Sequence, residues 1–210
     1  VCGVCLEGDV LEAAKRLYQD NKAEILTFHL NEDEFVQGLI CGGSLDVLIE
    51  PITKNDFTLV RDLKALRDEG EDCILATVLS SSGKILAKVL VLGEDSSELE
   101  KELTSLKSSI PNLKSLLTEE LHKAHHRNET RRMKLAESEL ILEPIQGTPS
   151  LIIFGGGHVS RYVCKAATVA GFRVTVVDDR PQYANSERFP EAARTLATDY
   201  AEAFAQLDVK

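Results

Sequence analysis

Two short stretches concentrate residue types that can do chemistry. The first is L-I-I-F-G-G-G-H-V, Leu151 to Val159, followed by a helical pattern and then R-V-T-V-V-D-D-R. An apolar run, three glycines, a helix, a second apolar run and paired acids is the order of parts in a βαβ nucleotide-binding unit. Gly155, Gly156 and Gly157 let the backbone turn tightly and approach a ligand with no Cβ in the way. A helix opening near His158 would aim its first N–H groups at that ligand, and its dipole would favour an anion such as a pyrophosphate. Read as G-x-G-x-x-G, the motif is Gly155, Gly157 and then Ser160, a small residue where helix–strand packing needs one. Asp178, about 20 residues beyond the last glycine, is placed to accept ribose hydroxyls. Arg180 is placed to pair with a phosphate.

The second stretch is L-I-C-G-G-S-L-D-V-L-I-E-P, Leu39 to Pro51. Leu45, Val47 and Ile49 alternate with polar neighbours, which predicts a half-buried strand. Cys41 precedes it beside Gly42 and Gly43, so the backbone around its sulfur is open. Two readings remain: an accessible thiol that touches a ligand, or a cysteine packed at a bulge. Cys2 and Cys5 form a C-x-x-C pair, open to redox chemistry, half a zinc site or simple burial. Asp9 with Glu12 resembles a capping box. That would put Cys5 just before a helix N-terminus, where a thiol's pKa falls. His122 and His126 stand i, i+4, a spacing that can bind metal. No H-E-x-x-H glutamate accompanies them, and Lys123, Arg127 and Arg131 surround them, so a solvated helix face without a metal is expected.

These residues need elements to position them. Helices are predicted from Asp9, over Phe57–Arg67, Ser96–Ser108, Leu113–Arg127, His158–Ala170 and Tyr200–Leu207. Strands are predicted at Glu24–Leu30, Cys73–Leu79 and Lys84–Leu92 as a hairpin, one or two within Lys134–Pro144, and Ala193–Thr198. Cys73 and Cys164 fall where buried thiols are expected. Gln146-Gly147-Thr148-Pro149 reads as a linker. It divides residues 1–145 from a Rossmann-like unit at 150–210, which lacks the further strands of a doubly wound sheet. Another chain or segment is expected to help complete it.

Bulk properties narrow the function. The chain has 210 residues with 24 basic against 34 acidic side chains, a net charge of -10. That balance argues against nucleic acid or an anionic membrane as the main partner. No apolar run reaches the roughly 18 residues of a membrane-spanning helix. Five cysteines, an odd number, do not form a disulfide framework, and a reducing cytoplasm is expected.

In this order, C-L-E-G-D-V, C-G-G-S-L-D-V-L-I-E-P, F-G-G-G-H-V-S, V-T-V-V-D-D-R-P and E-R-F-P resemble the XdhC/CoxI family, the xanthine dehydrogenase accessory factors. The resemblance is weakest between Phe57 and Lys134. Ala is commoner in the family where Gly156 stands here. The family's segment before C-L-E-G and the second half of its Rossmann domain have no counterpart in the sequence. The resemblance implies an α/β chain with an N-terminal XdhC/CoxI-type domain followed by an incomplete, Rossmann-like parallel sheet. It implies a cytoplasmic maturation factor, not a catalyst in its own right; the interrupted sheet leads to the expectation of a homodimer. Such a factor binds molybdenum cofactor (molybdopterin, as such or in a dinucleotide form), helps its sulfuration by a cysteine desulfurase and delivers it to an apo xanthine dehydrogenase-type enzyme. On that reading the cofactor contacts are Cys5, Cys41 (the preferred thiol), Gly42, Gly43, Gly155, Gly156, Gly157, His158, Ser160, Asp178 and Arg180. The alternative is an NAD(P)-binding oxidoreductase, whose only evident acid or base at the glycine turn is His158.

Overall fold

The computed structural model describes residues 6–20, 22–30, 43–105, 112–135 and 137–207. The chain divides into two units, Val1–Leu63 with Cys73–Ile145, and Lys64–Asp72 with Gln146–Lys210.

The first unit opens with α1 (Leu6–Asp20), β1 (Glu24–Leu30) and β2 (Gly43–Ile49). α1 begins before Asp9, so Leu6, Glu7 and Gly8 are helical and Asp9 lies inside the first turns rather than capping them. β1 and β2 pair antiparallel with Leu26 opposite Val47. Their apolar face packs with Val10, Ala13, Ala14 and Leu17 of α1 around Ile49, a 3.6-residue stripe against a two-residue alternation. Leu45, at the far end of the same alternation, stays exposed.

α2 (Phe57–Glu69) leads into β3 (Cys73–Ser80), β4 (Ile85–Leu92), α3 (Ser97–Ser105), α4 (Leu113–Arg127), β5 (Arg131–Leu135) and β6 (Ser138–Ile145). The four strands make an antiparallel sheet in the order β4-β3-β6-β5. Leu99 and Leu103 of α3 and Leu117, Leu121 and Ala124 of α4 close over Ile74, Ala76, Val78, Leu140 and Leu142. β3 lies between two partners, and its nearly unbroken apolar run reflects that central place. Asn128 ends α4 in the left-handed conformation (φ 50°) and donates its N–H to the last turn, a short polar residue doing the usual work of glycine. Cys73 and Cys164 are both buried, as expected.

The second unit is β7 (Ser150–Phe154), α5 (His158–Val169), β8 (Arg173–Asp178), β9 (Arg194–Ala197) and α6 (Tyr200–Gln206). Its strands are parallel in the order β7-β8-β9. Cys164 and Ala167 of α5 meet Val174, Val176 and Phe189 in its core. The tail of α2 belongs here as well. The Arg173 guanidinium donates to the carbonyls of Asp68 (3.1 Å) and Glu69 (3.2 Å), closing the C-terminal end of α2 with a cation. Thr148 N–H donates to the Arg67 carbonyl at 2.8 Å. Gly147 lies so close to Gly70 that a Cβ on it would stand 2.3 Å from the Gly70 carbonyl carbon.

Candidate functional site

The glycine turn between β7 and α5 is built as the spacing predicts, but its polar groups are assigned differently. Gly155 takes φ +95°, a conformation that suits glycine, and its N–H donates to the Val177 carbonyl at 2.7 Å. Ser160, at the third motif position, donates its hydroxyl to the Gly155 carbonyl. Gly157 is the N-cap of α5, and no side chain caps the helix. A Cβ on Gly155 or Gly157 would meet nothing within 4 Å. The turn is therefore open at both of these glycines and closed between them. A Cβ on Gly156 would fall 2.0 Å from the Tyr183 carbonyl oxygen, which excludes alanine from this position unless the loop after β8 moves.

Asp178 points into the protein. It is fully buried. Its Oδ2 accepts from Gly156 N–H at 2.7 Å and Arg180 Nη2 at 3.0 Å; its Oδ1 accepts from Arg180 N–H at 3.0 Å and Nε at 2.9 Å. Those donors fill the roughly four acceptor positions of a carboxylate. The Arg180 side chain beside it, with the two backbone donors, outweighs burial and holds the carboxyl far below the usual range. The expected ribose acceptor is thus a strut between β8 and the glycine turn.

Arg180 is committed to Asp178 and also lies over the Tyr183 ring, 4.1 Å from its centroid. Arg188 lies 5.0 Å from the same centroid and donates Nε to the Gly156 carbonyl at 2.8 Å. Phe189, buried in the core of the unit, fixes the loop that carries Arg188. Two guanidinium groups thus share one tyrosine ring beside the uncapped start of α5. Sequence reasoning missed Tyr183 and Arg188, although Arg188 stands in the E-R-F-P stretch and its charge was the available signal. His158 is exposed and packs edge-on to Tyr162, with ring centroids 5.1 Å apart.

Cys2, Cys5, Cys41 and Gly42 lie outside the described residues, and of Gly43 only the backbone at the start of β2 is described. The end of the same stretch brings a polar centre that sequence reasoning also missed. Lys88 of β4, with 8% of its side chain exposed, donates to Glu50 Oε1 at 2.7 Å and lies 3.5 Å from Asp56 Oδ1. Thr53 N–H and Oγ1 both donate to Asp56 Oδ2 at 2.7 Å. Burial pushes the Asp56 carboxyl up, but these bonds and Lys88 together leave it lowered. Burial and then the nearby Glu50 charge raise the Glu143 carboxyl. Glu50 Oε2 is buried with no hydrogen-bond partner among the described residues. Lys88, Asp56 and Thr53 line a cleft of about 650 Å³.

Two of the cations around His122 and His126, Lys123 and Arg131, are paired. Lys123 is held by Glu119 and Glu120, and Arg131, in β5, by Glu120. The carboxylate absent from the local sequence is supplied by Glu94, in the turn after β4. Among the described residues, no helix is long and apolar enough to cross a membrane.

A parallel sheet with a glycine turn opening its first helix, flanked by an acid and two arginines, defines a Rossmann-type unit. Residues 151–208 match the family model of the XdhC Rossmann domain, the family that the sequence motifs resemble. A crystal structure described as a xanthine dehydrogenase from Bacillus halodurans shares the fold, with a TM-score of 0.66 at 22% identity. The match covers 98% of this chain and 56% of that one, so the chain spans little more than half of its length. No match is found among curated proteins.

Proposed function

We propose that this chain is an accessory factor for a xanthine dehydrogenase-type molybdenum hydroxylase and holds the phosphate end of molybdenum cofactor at the glycine turn. The observation that carries the reading is the uncapped first turn of α5 beside Arg180 and Arg188. Unshared N–H groups, glycines open at Gly155 and Gly157, and a nearby cation are what a phosphate needs. The residues fit that group: Gly157 and His158 supply backbone donors, and Arg188 supplies charge. Asp178 fits no ribose as it stands, so the phosphate, not the sugar, is the recognised part. When bound, the cofactor supplies the dithiolene-held molybdenum centre used by the client enzyme; this chain binds and orients it. Cys41, ahead of Cys5, is the proposed thiol contact for the soft metal–sulfur end. A cysteine desulfurase as sulfur donor, the apo-enzyme as recipient, a homodimeric state and a cytoplasmic setting complete the proposal.

The test is anaerobic titration of the untagged chain with molybdopterin. Saturable binding is expected, weakened about tenfold, or about 1.4 kcal/mol, by Arg188→Gln. Binding of NAD(H) with hydride transfer, and none of molybdopterin, would overturn the reading in favour of an oxidoreductase. Unchanged binding in Cys41→Ala would remove the thiol contact alone.

A further inference from the structure

We infer that Glu94, His122 and His126 form a binding site for a divalent transition metal of the zinc class, separate from the glycine turn and independent of the function proposed above. One ligand atom from each residue lies within 4.8 Å of the others. His122 Nδ1 is 2.7 Å and His126 Nε2 is 3.5 Å from Glu94 Oε1. The two imidazole rings lie 4.2 Å apart, centroid to centroid.

The scaffold explains why these atoms converge. Leu117, Leu121 and Ala124 bury one face of α4 against the sheet. The i, i+4 pair His122 and His126 is therefore turned out on a helix whose rotation is fixed by its core. Glu94 sits just beyond β4, in a turn set by the positive φ of Gly93 (58°) and anchored through the next helix, where Leu99 and Leu103 are fully buried. Three donors from two anchored elements are thus presented together, with the backbone ordering already met by the core.

The donor set selects the metal. Ligand bonds of about 2.0–2.2 Å for zinc place neighbouring donors roughly 3–3.5 Å apart around a tetrahedral ion. Reaching that geometry lengthens the Glu94–His122 contact and draws in any donor pair near the 4.8 Å limit. Two imidazoles and one carboxylate suit Zn²⁺, Co²⁺, Ni²⁺ or Cu²⁺, whereas Mg²⁺ and Ca²⁺ call for an all-oxygen shell. Three protein ligands leave one tetrahedral position to water. Glu119 and Glu120 neutralise Lys123, and Glu120 also holds Arg131, which removes much of the local repulsion to a cation.

The test is titration of the untagged full chain with Co²⁺, read by its visible d–d absorption, with Zn²⁺ affinity measured by competition against a chromophoric chelator. One equivalent is expected to bind without thiolate charge-transfer absorption. His122→Ala, His126→Ala and Glu94→Gln should each weaken it at least about tenfold, since even outer-shell changes cost that much. All three side chains are exposed, so these variants should fold. A chain with Cys2, Cys5 and Cys41 replaced by serine should bind as before. Binding unchanged in the histidine variants, binding lost with the cysteines, or no binding at all would each overturn the assignment.

Discussion

The glycine turn of the second unit and the Lys88 centre of the first each gather partners around one buried charged side chain, but they are finished differently. At the turn, Asp178, Arg180, Arg188 and both polar backbone groups of Gly156 satisfy one another. At Lys88, one amine faces Glu50 and Asp56 with Glu143 close by, and Glu50 Oε2 is left without a partner. A closed network fixes shape, so what it offers a ligand is geometry, here the start of α5. An unfinished network keeps an unmet acceptor and excess negative charge, so it favours any donor or cation that can reach it. The two arrangements make different predictions under substitution.

The largest effect should come from Lys88→Met. Removing the cation that pairs with Glu50 and Asp56 leaves two part-buried carboxylates without their counter-charge, and a loss of about 3–5 kcal/mol is expected in urea unfolding. A loss below about 1 kcal/mol would mean that the centre is hydrated and that the contrast with the turn is false. Asp178→Asn should cost about 1.5–3 kcal/mol at neutral pH. It should also remove a pH dependence. The folded carboxyl is lowered, so its stabilisation is complete above the unfolded value of about 3.9 and is lost as pH falls below it. Acid unfolding curves of the variant should be flatter in that range.

Gly156→Ala must push the Tyr183 loop away and should cost about 1–3 kcal/mol, with weaker molybdopterin binding. Gly157→Ala, where the added methyl meets nothing, loses only the N-cap preference for glycine and should cost less than about 1 kcal/mol. Equal losses at the two positions would show that the turn is not closed at its middle. The smallest effect belongs to Glu143→Gln. Because the folded carboxyl is raised, ionisation opposes folding as pH rises above the unfolded value of about 4.3. The variant should melt slightly higher than the parent at pH 7 and the same at pH 3.

The sequence made local order legible and long-range pairing much less so. The glycines, the apolar run of β7 and the acids after β8 announce the βαβ unit because each acts within a few residues of itself. The alternation of β2 and the hairpin of β3 and β4 were equally readable. Arg188 reaching back to the Gly156 carbonyl, Lys88 meeting Glu50, and Glu94 meeting His122 all depend on where distant elements pack, and no periodicity carries that. Asp178 shows the same limit: its spacing from the glycines was readable, but the hold that Arg180, two residues on, has on its carboxylate was not. α1 starts before its best local capping pattern because Ala13 and Leu17 packing on Ile49 outweighs a surface cap.

The tail of α2 has a consequence for biosynthesis. Lys64–Asp72 counts with the second unit, yet its hydrogen-bond partners Thr148 and Arg173 are made much later. At ribosomal rates of about 5–20 residues per second, that segment waits several seconds before Arg173 can close its carbonyls. The first half of α2 can settle early while the second half stays unfastened, so the second unit cannot be completed until the first has been translated through. A pause or a cut near Gly147 would therefore strand a helix end, not merely separate two beads on a string.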